Sequence, residues 1–490
     1  MMPLMSEADI RADRLKKIQA LKEAGMDPYP AKAEPTATIA EFVRTFAERE
    51  AEGSPATVAG RVMASRGQGG IMFADIDDGT ARLQSVLQKD DMDEALFALY
   101  EAVVDTGDFI EITGTAYTTK RGAQSIKVRS WRMIAKSLLP IPDSWYGLKD
   151  EELILRQRYL DILLNEDVRA MFIRRSKFWQ TIRNFYLERG FLEVETPVLE
   201  STPGGADARP FETHHNALDI DVSLRISLEL WLKRLLVAGY PKVFEIGRIF
   251  RNEGQSREHL QDYTQLESYE AFKDMRDGME FVQELYRTIA KNVYGKYTFE
   301  INNHTVDLAD NWSIIDFVEV IQKEYGVNAI SCTEEEAIQA AKNAGVVFGD
   351  APNKTRAIDG LWKLIRKGVA GPAFLVGVPV YLEPLAKRVA GNPDVVERFQ
   401  VVLAGSEMGK GFSELNDPQD QRARFEDQQK LRDAGDDEAQ RLDEDYVRAM
   451  EYGMPPSFGF GCSERLFSFL ENRPAHETQI FPLMRPKDIS

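Results

Sequence analysis

The alternation of apolar and polar positions divides the chain into distinct textures. From Glu7 to Gly25, apolar Ile10, Leu15, Ile18 and Leu21 recur at helical spacing and Gly25 stops the run, which predicts an amphipathic helix. Pro28, Pro30 and Pro35 then break any long element and predict a linker. From Ala56 to Ile141 the chain turns to short alternating runs: VAGRVMASR, GIMFADIDD, ARLQSVLQ, DFIEITGTAYTTK and QSIKVRSWRMIAK, punctuated by Gly and Asp. Five such strands with one helical stretch, Asp91 to Tyr100, predict a small closed β-barrel.

Leu138-Leu139-Pro140-Ile141-Pro142 reads as a domain boundary. Beyond it, Leu153 to Leu164 and Phe172 to Arg189 are predicted helices, the second burying Phe178, Ile182, Phe185 and Tyr186 and running through Gly190 into the strand FLEVETPVL. The rest mixes strands with helices at Met279 to Tyr294, Glu334 to Gly345, Thr355 to Gly368, Gln419 to Ala434 and Glu438 to Tyr452. Adjacent strands with short connections favour an antiparallel sheet. The expected fold is therefore α+β, an N-terminal OB-fold β-barrel followed by an antiparallel-sheet domain. The segments are 1–55 (helix and linker), 56–142 (barrel) and 143–490 (large domain, with a variable segment around 311–370).

Composition narrows the function classes. Lys and Arg number 61 against 79 Asp and Glu, a formal charge of −18 over 490 residues, with 43% hydrophobic residues. That is an ordinary globular composition; it excludes disorder, collagen and a disulfide scaffold. The acidic balance argues weakly against nucleic acid, but counterion release depends on a local patch. Lys120 to Lys136 carries Lys120, Arg121, Lys127, Arg129, Arg132 and Lys136 without an acidic residue, either such a patch or a solvated strand face with paired charges. Cys332 and Cys462, far apart, lead us to expect a reduced, cytoplasmic setting, and no apolar run reaches the ~18 residues of a membrane span.

Several chemistries drop out. GSEMGKGF around Lys410 has the wrong glycine spacing for a phosphate loop, and Gly411 stands where Ser or Thr should bind magnesium. GFGCSE at Gly459 lacks the third glycine of a dinucleotide fingerprint, the five histidines have no metal spacing, and there is no hydrolase elbow. One dense constellation remains, FEIGRIFRNEGQSREHLQDYTQLESYEAF from Phe244 to Phe272: two apolar alternating strands around a loop of Arg251, Glu253, Arg257, Glu258, His259 and Asp262. Arg251 is predicted inside the strand, where a cation beside Phe250 needs an anion to offset its desolvation. A guanidinium suits phosphate and carboxylate equally. Glu253 at same-face spacing can accept from an exocyclic amine, and Tyr263 offers a flat ring to a base. The bland alternative is a solvated hairpin tip.

This segment resembles motif 2 of the class II aminoacyl-tRNA synthetases, and the chain as a whole resembles the lysyl-tRNA synthetases of subclass IIb. GFLEVETPVL with its preceding helix resembles motif 1, GFGCSERLFSFL motif 3, and GGADARPFETHHNALDIDVSLRIS, GFSELNDPQDQ, DAGDDEA, EYGMPP and IFPLMRP the family's other blocks. The resemblance implies that Arg251 bridges the ATP α-phosphate and the amino-acid carboxylate, that Glu253 and His259 hold ATP, that Tyr263 stacks on adenine, and that Arg465 binds the γ-phosphate. It further implies Glu229 and Glu267 at the substrate α-ammonium, Tyr269 and Glu414 at the ε-ammonium, Gly205 and Arg251 with them in the lysine-binding set, Glu407 and Glu414 as magnesium ligands, and Arg66, Phe73 and Gln84 of the barrel on the tRNA anticodon. For Phe73 alone, a barrel-core aromatic is the alternative. Mg2+, ATP, L-lysine and tRNA-Lys are the implied cofactor and partners, with a homodimer formed through motif 1.

The resemblance breaks at four places. Gln400 stands where the family usually has a second metal-binding carboxylate, and Lys410 where it has Asn. Glu258, preceded by Arg257, replaces an Arg, and motif 3 is one residue short, with Glu464 for the usual Asp. Three functions follow as candidates: an ATP-dependent lysine-tRNA ligase, a relative acting on Asp or Asn, or a paralogue without adenylation that serves as a tRNA-binding or regulatory module. The segment from Asn311 to Ala370 resembles a bacterial insertion with surface charge and no chemistry.

Overall fold

A computed structural model describes residues 6–142, 150–254, 259–348, 352–433 and 439–486. Arg257 and Glu258, one of the four departures, lie outside the described residues, as does most of the DAGDDEA block. The chain forms two compact units, Met1–Glu151 and Glu152–Ser490.

In the first unit, β1 (Pro55–Gln68), β2 (Ile71–Asp77), β3 (Arg82–Gln88), β4 (Phe109–Thr118) and β5 (Gln124–Ala135) close a barrel in the order β1-β2-β3-β5-β4. Alternation puts Ala74, Ile76, Leu83 and Ile112 inside with Trp131. Helix α1 (Glu7–Glu23) is capped by Ser6 and Asp9 and tied down by Arg14, which donates to the carbonyls of Thr106, Ser137 and Leu139. The expected linker is only partly one. A second capping box, Thr38 with Glu41, starts α2 (Ile39–Arg44), α3 (Phe46–Glu52) follows, and Ile39, Phe42 and Phe46 join the barrel core. Two short helices that together deliver three buried apolar residues gain more than the prolines before them cost.

The basic run of Lys120 to Lys136 is half consumed by structure. Lys136 is buried on Asp105 and Asp108, Arg132 pairs with Glu111 at 2.7 Å and Lys127 with Asp91 at 2.9 Å. Lys120, Arg121 and Arg129 stay exposed.

The second unit is built on an eight-stranded sheet: β6 (Leu192–Glu193), β7 (Lys242–Phe250), β8 (Asp262–Ala271), β9 (Ser313–Asp316), β10 (Ala373–Val376), β11 (Arg398–Leu403), β12 (Ser406–Ser413) and β13 (Ser457–Ser463), ordered β9-β10-β11-β12-β13-β8-β7-β6. The six central strands pair antiparallel, as expected. The two outermost pairs, β6 with β7 and β9 with β10, are parallel. Parallel neighbours need a long crossover, which the chain between them supplies. In the second case that crossover is the segment around 311–370. Its strand β9 is an edge of the main sheet and its three helices, Phe317–Tyr325, Glu334–Asn343 and Lys354–Ile365, bury Trp362 in the core, so it is part of the framework of this unit.

Helices α4 (Glu166–Leu187) and α5 (Met275–Ile289) cover one face of the sheet, packing Phe178, Tyr186 and Leu285 against Phe244, Leu266, Phe399 and Phe460. Strand periodicity then sends Glu245, Glu267, Gly461, Lys410 and Gln400, successive partners along one rung, to the opposite face. Among the described residues no helix is long and apolar enough to cross a membrane.

Candidate active site

That opposite face carries a cavity of about 410 Å³ lined by charged side chains. At its closed end the next rung sets Tyr269 beside Gly459. A Cβ at Gly459 would lie 1.9 Å from Glu414 Oε1 and 2.5 Å from the Tyr269 ring, so glycine is required there. Gly205, at φ +83°, closes the rim, where a Cβ would stand 3.0 Å from Ser227 and Glu229.

The expected acidic residues converge here. Glu229, Glu267 and Glu414 are all buried, at 6%, 3% and 1% exposure. Each differs in what holds it. Glu267 Oε1 accepts from Ser227 Oγ at 2.7 Å, the Leu228 amide at 3.1 Å and Gln265 at 2.5 Å, and Oε2 accepts from the Tyr269 hydroxyl at 3.0 Å. Its carboxylate is thus rigid. Glu229 Oε1 accepts from Lys233 Nζ at 2.5 Å, and the same ammonium pairs with Glu414 Oε2. Neither Glu414 oxygen has a hydrogen bond of good geometry.

Lys233, which sequence reasoning missed, is the fully buried counter-ion of this end; it stands one turn after Glu229 on α6 (Glu229–Val237), an i,i+4 pair legible in ELWLK. Burial pushes the Glu414 carboxyl well above the usual carboxylate range and raises that of Glu229, against the pull of Lys233. Burial draws the Lys233 ammonium down, but the two carboxylates more than offset it and hold it above its ordinary value. Two carboxylates share one resident cation, so the end takes up a further positive charge favourably. The Lys233 ammonium occupies one oxygen of Glu414, and the other, Oε1, has no hydrogen-bond partner.

The other end is cationic. Arg251 falls one residue past β7 rather than within it, because pairing ends at Phe250 opposite Asp262. Its Nε donates to Ile226 O at 3.2 Å and its guanidinium lies 5.8 Å from the Tyr263 ring centroid. Glu253 and His259 sit on the exposed loop that follows, so the same-face strand argument for Glu253 fails, yet both line the cavity with Arg251 and Tyr263.

Arg465 lines it too. The short motif 3 is accommodated without a bulge, since β13 pairs with β8 in unbroken register from Ser457 to Ser463 and the arginine follows two residues on, after Glu464. Glu464 is buried; it accepts from the Thr264 amide at 3.1 Å and pairs with Arg175, fastening α4 to the sheet.

Glu407 is held by the segment for which no chemistry was expected. Trp362 Nε1 donates to its Oε1 at 2.7 Å, and Arg366 lies 3.9 Å away. Gln400 is used at both ends of its amide: Oε1 accepts from Arg398 at 2.6 Å and Nε2 donates to Gly409 O at 3.1 Å. Lys410 stands 3.1 and 3.2 Å from the two oxygens of buried Glu383, which also pairs with Arg398 at 3.0 Å. Glu383 was not foreseen, and no local pattern marks it. A holder of two carboxylates for magnesium does not fit these residues. Among the described residues no three acidic, histidine or cysteine side chains gather as a metal site.

On the barrel, Arg66 pairs across from Phe73, and Asp75 across from Gln84, putting all four on one outward face. Phe73 is half-buried and outside the core cluster, so the barrel-core alternative falls. The Arg66 guanidinium sits 5.5 Å from its ring centroid and 3.8 Å from Asp75, and Ser125 donates to Gln84 Oε1 at 3.1 Å.

A charged cavity on one face of a largely antiparallel sheet, in a chain that also carries a separate small barrel, is the plan of a class II synthetase. Residues 150–485 match the family described as tRNA synthetases class II (D, K and N), and 56–134 match the OB-fold nucleic acid binding domain. The chain is 42% identical to a lysine–tRNA ligase of Moorella thermoacetica over 99% of its own length and 100% of that protein. It is 41% identical to one of a Roseiflexus species (98% and 99%) and 38% identical to that of Thermotoga maritima (98% and 96%). By these matches the chain belongs to the class II tRNA synthetases, and within them to the lysine–tRNA ligase family.

Proposed function

We propose that the protein activates L-lysine with ATP as lysyl-adenylate and transfers it to tRNA-Lys. The observation that carries the substrate is the closed end of the cavity, where buried Glu229 and Glu414 share the single ammonium of Lys233. A long cationic side chain entering there completes the charge balance, with its ε-ammonium on Glu414 beside Tyr269 and its α-ammonium against Gly205, Glu229 and Glu267. An aspartate would meet like charge at the same place.

Adenylation needs no protein base. The substrate carboxylate is already ionised; its oxygen attacks the α-phosphorus and pyrophosphate leaves. Arg251 spans carboxylate and α-phosphate, Arg465 takes the γ-phosphate, and Tyr263, Glu253 and His259 seat the adenosine and its phosphates, so catalysis is positioning and charge neutralisation. Mg2+ is generally required by this ATP-dependent chemistry, and Glu407 is the carboxylate present for it. Transfer then replaces AMP on the acyl carbon by a hydroxyl of the tRNA's terminal ribose.

Anticodon recognition falls to Arg66, Phe73 and Gln84, supported by their shared outward face, with stacking on Phe73 as its main contribution. A cytoplasmic homodimer is the assembly we favour, supported by exposed Ile173, Leu187 and Leu192 on the motif 1 helix and its edge strand. The test is pyrophosphate exchange into ATP screened over the standard amino acids without tRNA. Exchange with lysine alone is expected. No exchange with any amino acid, from folded protein that binds tRNA, would leave the regulatory paralogue.

A further inference from the structure

Four side chains between the two ends form a unit that neither lysine recognition nor adenosine binding uses. Lys410 on β12 faces Gln400 on β11 on one side and Gly461 on β13 on the other, so nothing larger than a glycine stands between it and Glu267 along the rung. Glu383 is 5% exposed and receives Lys410 on both oxygens and Arg398 on one. Gln400 is pinned between Arg398 and the Gly409 carbonyl. Burial would raise the Glu383 carboxyl, but Lys410 and Arg398 outweigh it and hold it below its usual value, so it stays ionised. One carboxylate, two cations and a neutral amide leave the unit with a net charge of +1.

The carboxyls of Asp207 and Glu229, whose values Lys410 lowers against the effect of burial, offset this charge in part, and a cation so placed gains further from an anion that reaches the cavity. The Lys410 side chain is 41% exposed and Lys410 lines the cavity together with Arg251, Glu407 and Arg465. Its anchoring by Glu383 limits how far the ammonium moves, which reduces the ordering cost of a contact.

We propose that Lys410 is a resident cation of the triphosphate subsite, meeting the α- and β-phosphate oxygens of ATP from the β12 side, opposite Arg251. It takes over neutralisation that a second carboxylate-held divalent ion would otherwise provide. Glu383 and Arg398 are positioning residues for it, and neutral Gln400 both withholds a metal ligand and keeps the unit's charge positive. The proposal rests on the ligase reading for its substrate. Its metal statement stands by itself, because a fixed ammonium beside one carboxylate repels the divalent ion that two carboxylates and a neutral neighbour would attract.

Two measurements test it. In the first, Mn2+ binding to nucleotide-free protein is followed by electron paramagnetic resonance for wild type, Gln400→Glu, Lys410→Asn and the double variant. The double variant is expected to bind Mn2+ about 10-fold or more tighter than wild type; equal affinity in the two overturns the proposal. In the second, Lys410→Met is expected to raise the KM for ATP about 10- to 100-fold, the scale of one charge-assisted contact, and to shift the magnesium optimum of lysine-dependent exchange upward. An unchanged KM and optimum in that variant, with wild type active, overturns it as well. Wild type that exchanges with no amino acid would instead defeat the ligase reading, while the Mn2+ comparison would still decide the fate of Lys410.

Discussion

The two ends of the cavity solve opposite electrostatic problems on one sheet. At the ammonium end the carboxylates are nearly solvent-free and one of them, Glu267, has four protein donors. At the cationic end Arg251 is only partly buried and lies past the end of its strand, with its Nε donating to the Ile226 carbonyl. The closed end is built to discriminate, since a buried site leaves a wrong substrate's partners unpaired. In the proposed reaction the open end neutralises charge that changes as it proceeds, which calls for cations placed early rather than walls.

The comparison is broken most severely at the open end. Arg251→Ala is expected to lower lysine-dependent exchange by about 100- to 1000-fold, the scale for losing one donor to developing charge, with an unchanged thermal unfolding profile. Near-normal exchange would remove the site assignment. At the closed end, Glu414→Gln is expected to raise the KM for lysine by about 30-fold or more, since a desolvated charge pair loses a partner, while the KM for ATP stays within about 2-fold. Equal changes in both constants would mean that the two ends are not separable.

A third prediction concerns the framework under the closed end. Glu200 accepts from Trp231 Nε1 at 2.5 Å, and burial, opposed by that bond, pushes its pKa from 4.5 up to about 7. The folded state therefore binds this proton more tightly than the unfolded chain. Its contribution is present below pH 4.5 and is lost as pH rises through about 7. Glu200→Gln should raise the melting temperature at pH 8 and flatten its slope between pH 5 and 7, with at most about 3 to 4 kcal/mol involved; an unchanged slope would count against the raised value.

The smallest effect sharpens the comparison by its sign. Lysine's ammonium beside Glu414 lowers a carboxyl that burial had raised, so binding releases protons in the interval between the free and bound values and lysine affinity increases with pH there. Calorimetry of lysine binding in two buffers of different ionisation enthalpy should show less than one proton released. ATP binding, measured the same way, should show none from this group.

Many of the residues that line the cavity are legible in the sequence. Glu229, Glu267, Tyr269, Glu414, Arg251 and Arg465 all line one cavity because strand alternation and ordered motifs constrain which face each residue takes. The misreadings have local causes. Arg251 was placed in a strand because apolar alternation runs to Phe250, and only the pairing partner shows where a ladder stops. The linker before the barrel concealed α2, although Thr38 and Glu41 form a capping box that the sequence displays. Trp362 and Glu383 left no trace, since a side chain that reaches another element by tertiary contact has no sequence period.

By itself, then, the sequence determined the order of elements, the α+β class, the resemblance to lysyl-tRNA synthetases and the residue types of both ends, because these depend on short-range periodicity and on motif spacing. Tertiary structure decided the charge bookkeeping. That Lys233 neutralises half of the acidic end, that Trp362 holds Glu407, and that Lys410 is fastened to Glu383 beside a Gln400 with no oxygen to spare are contacts between segments distant in the chain or across a sheet. Electrostatic energy depends on distance and burial, and both are properties of the folded molecule.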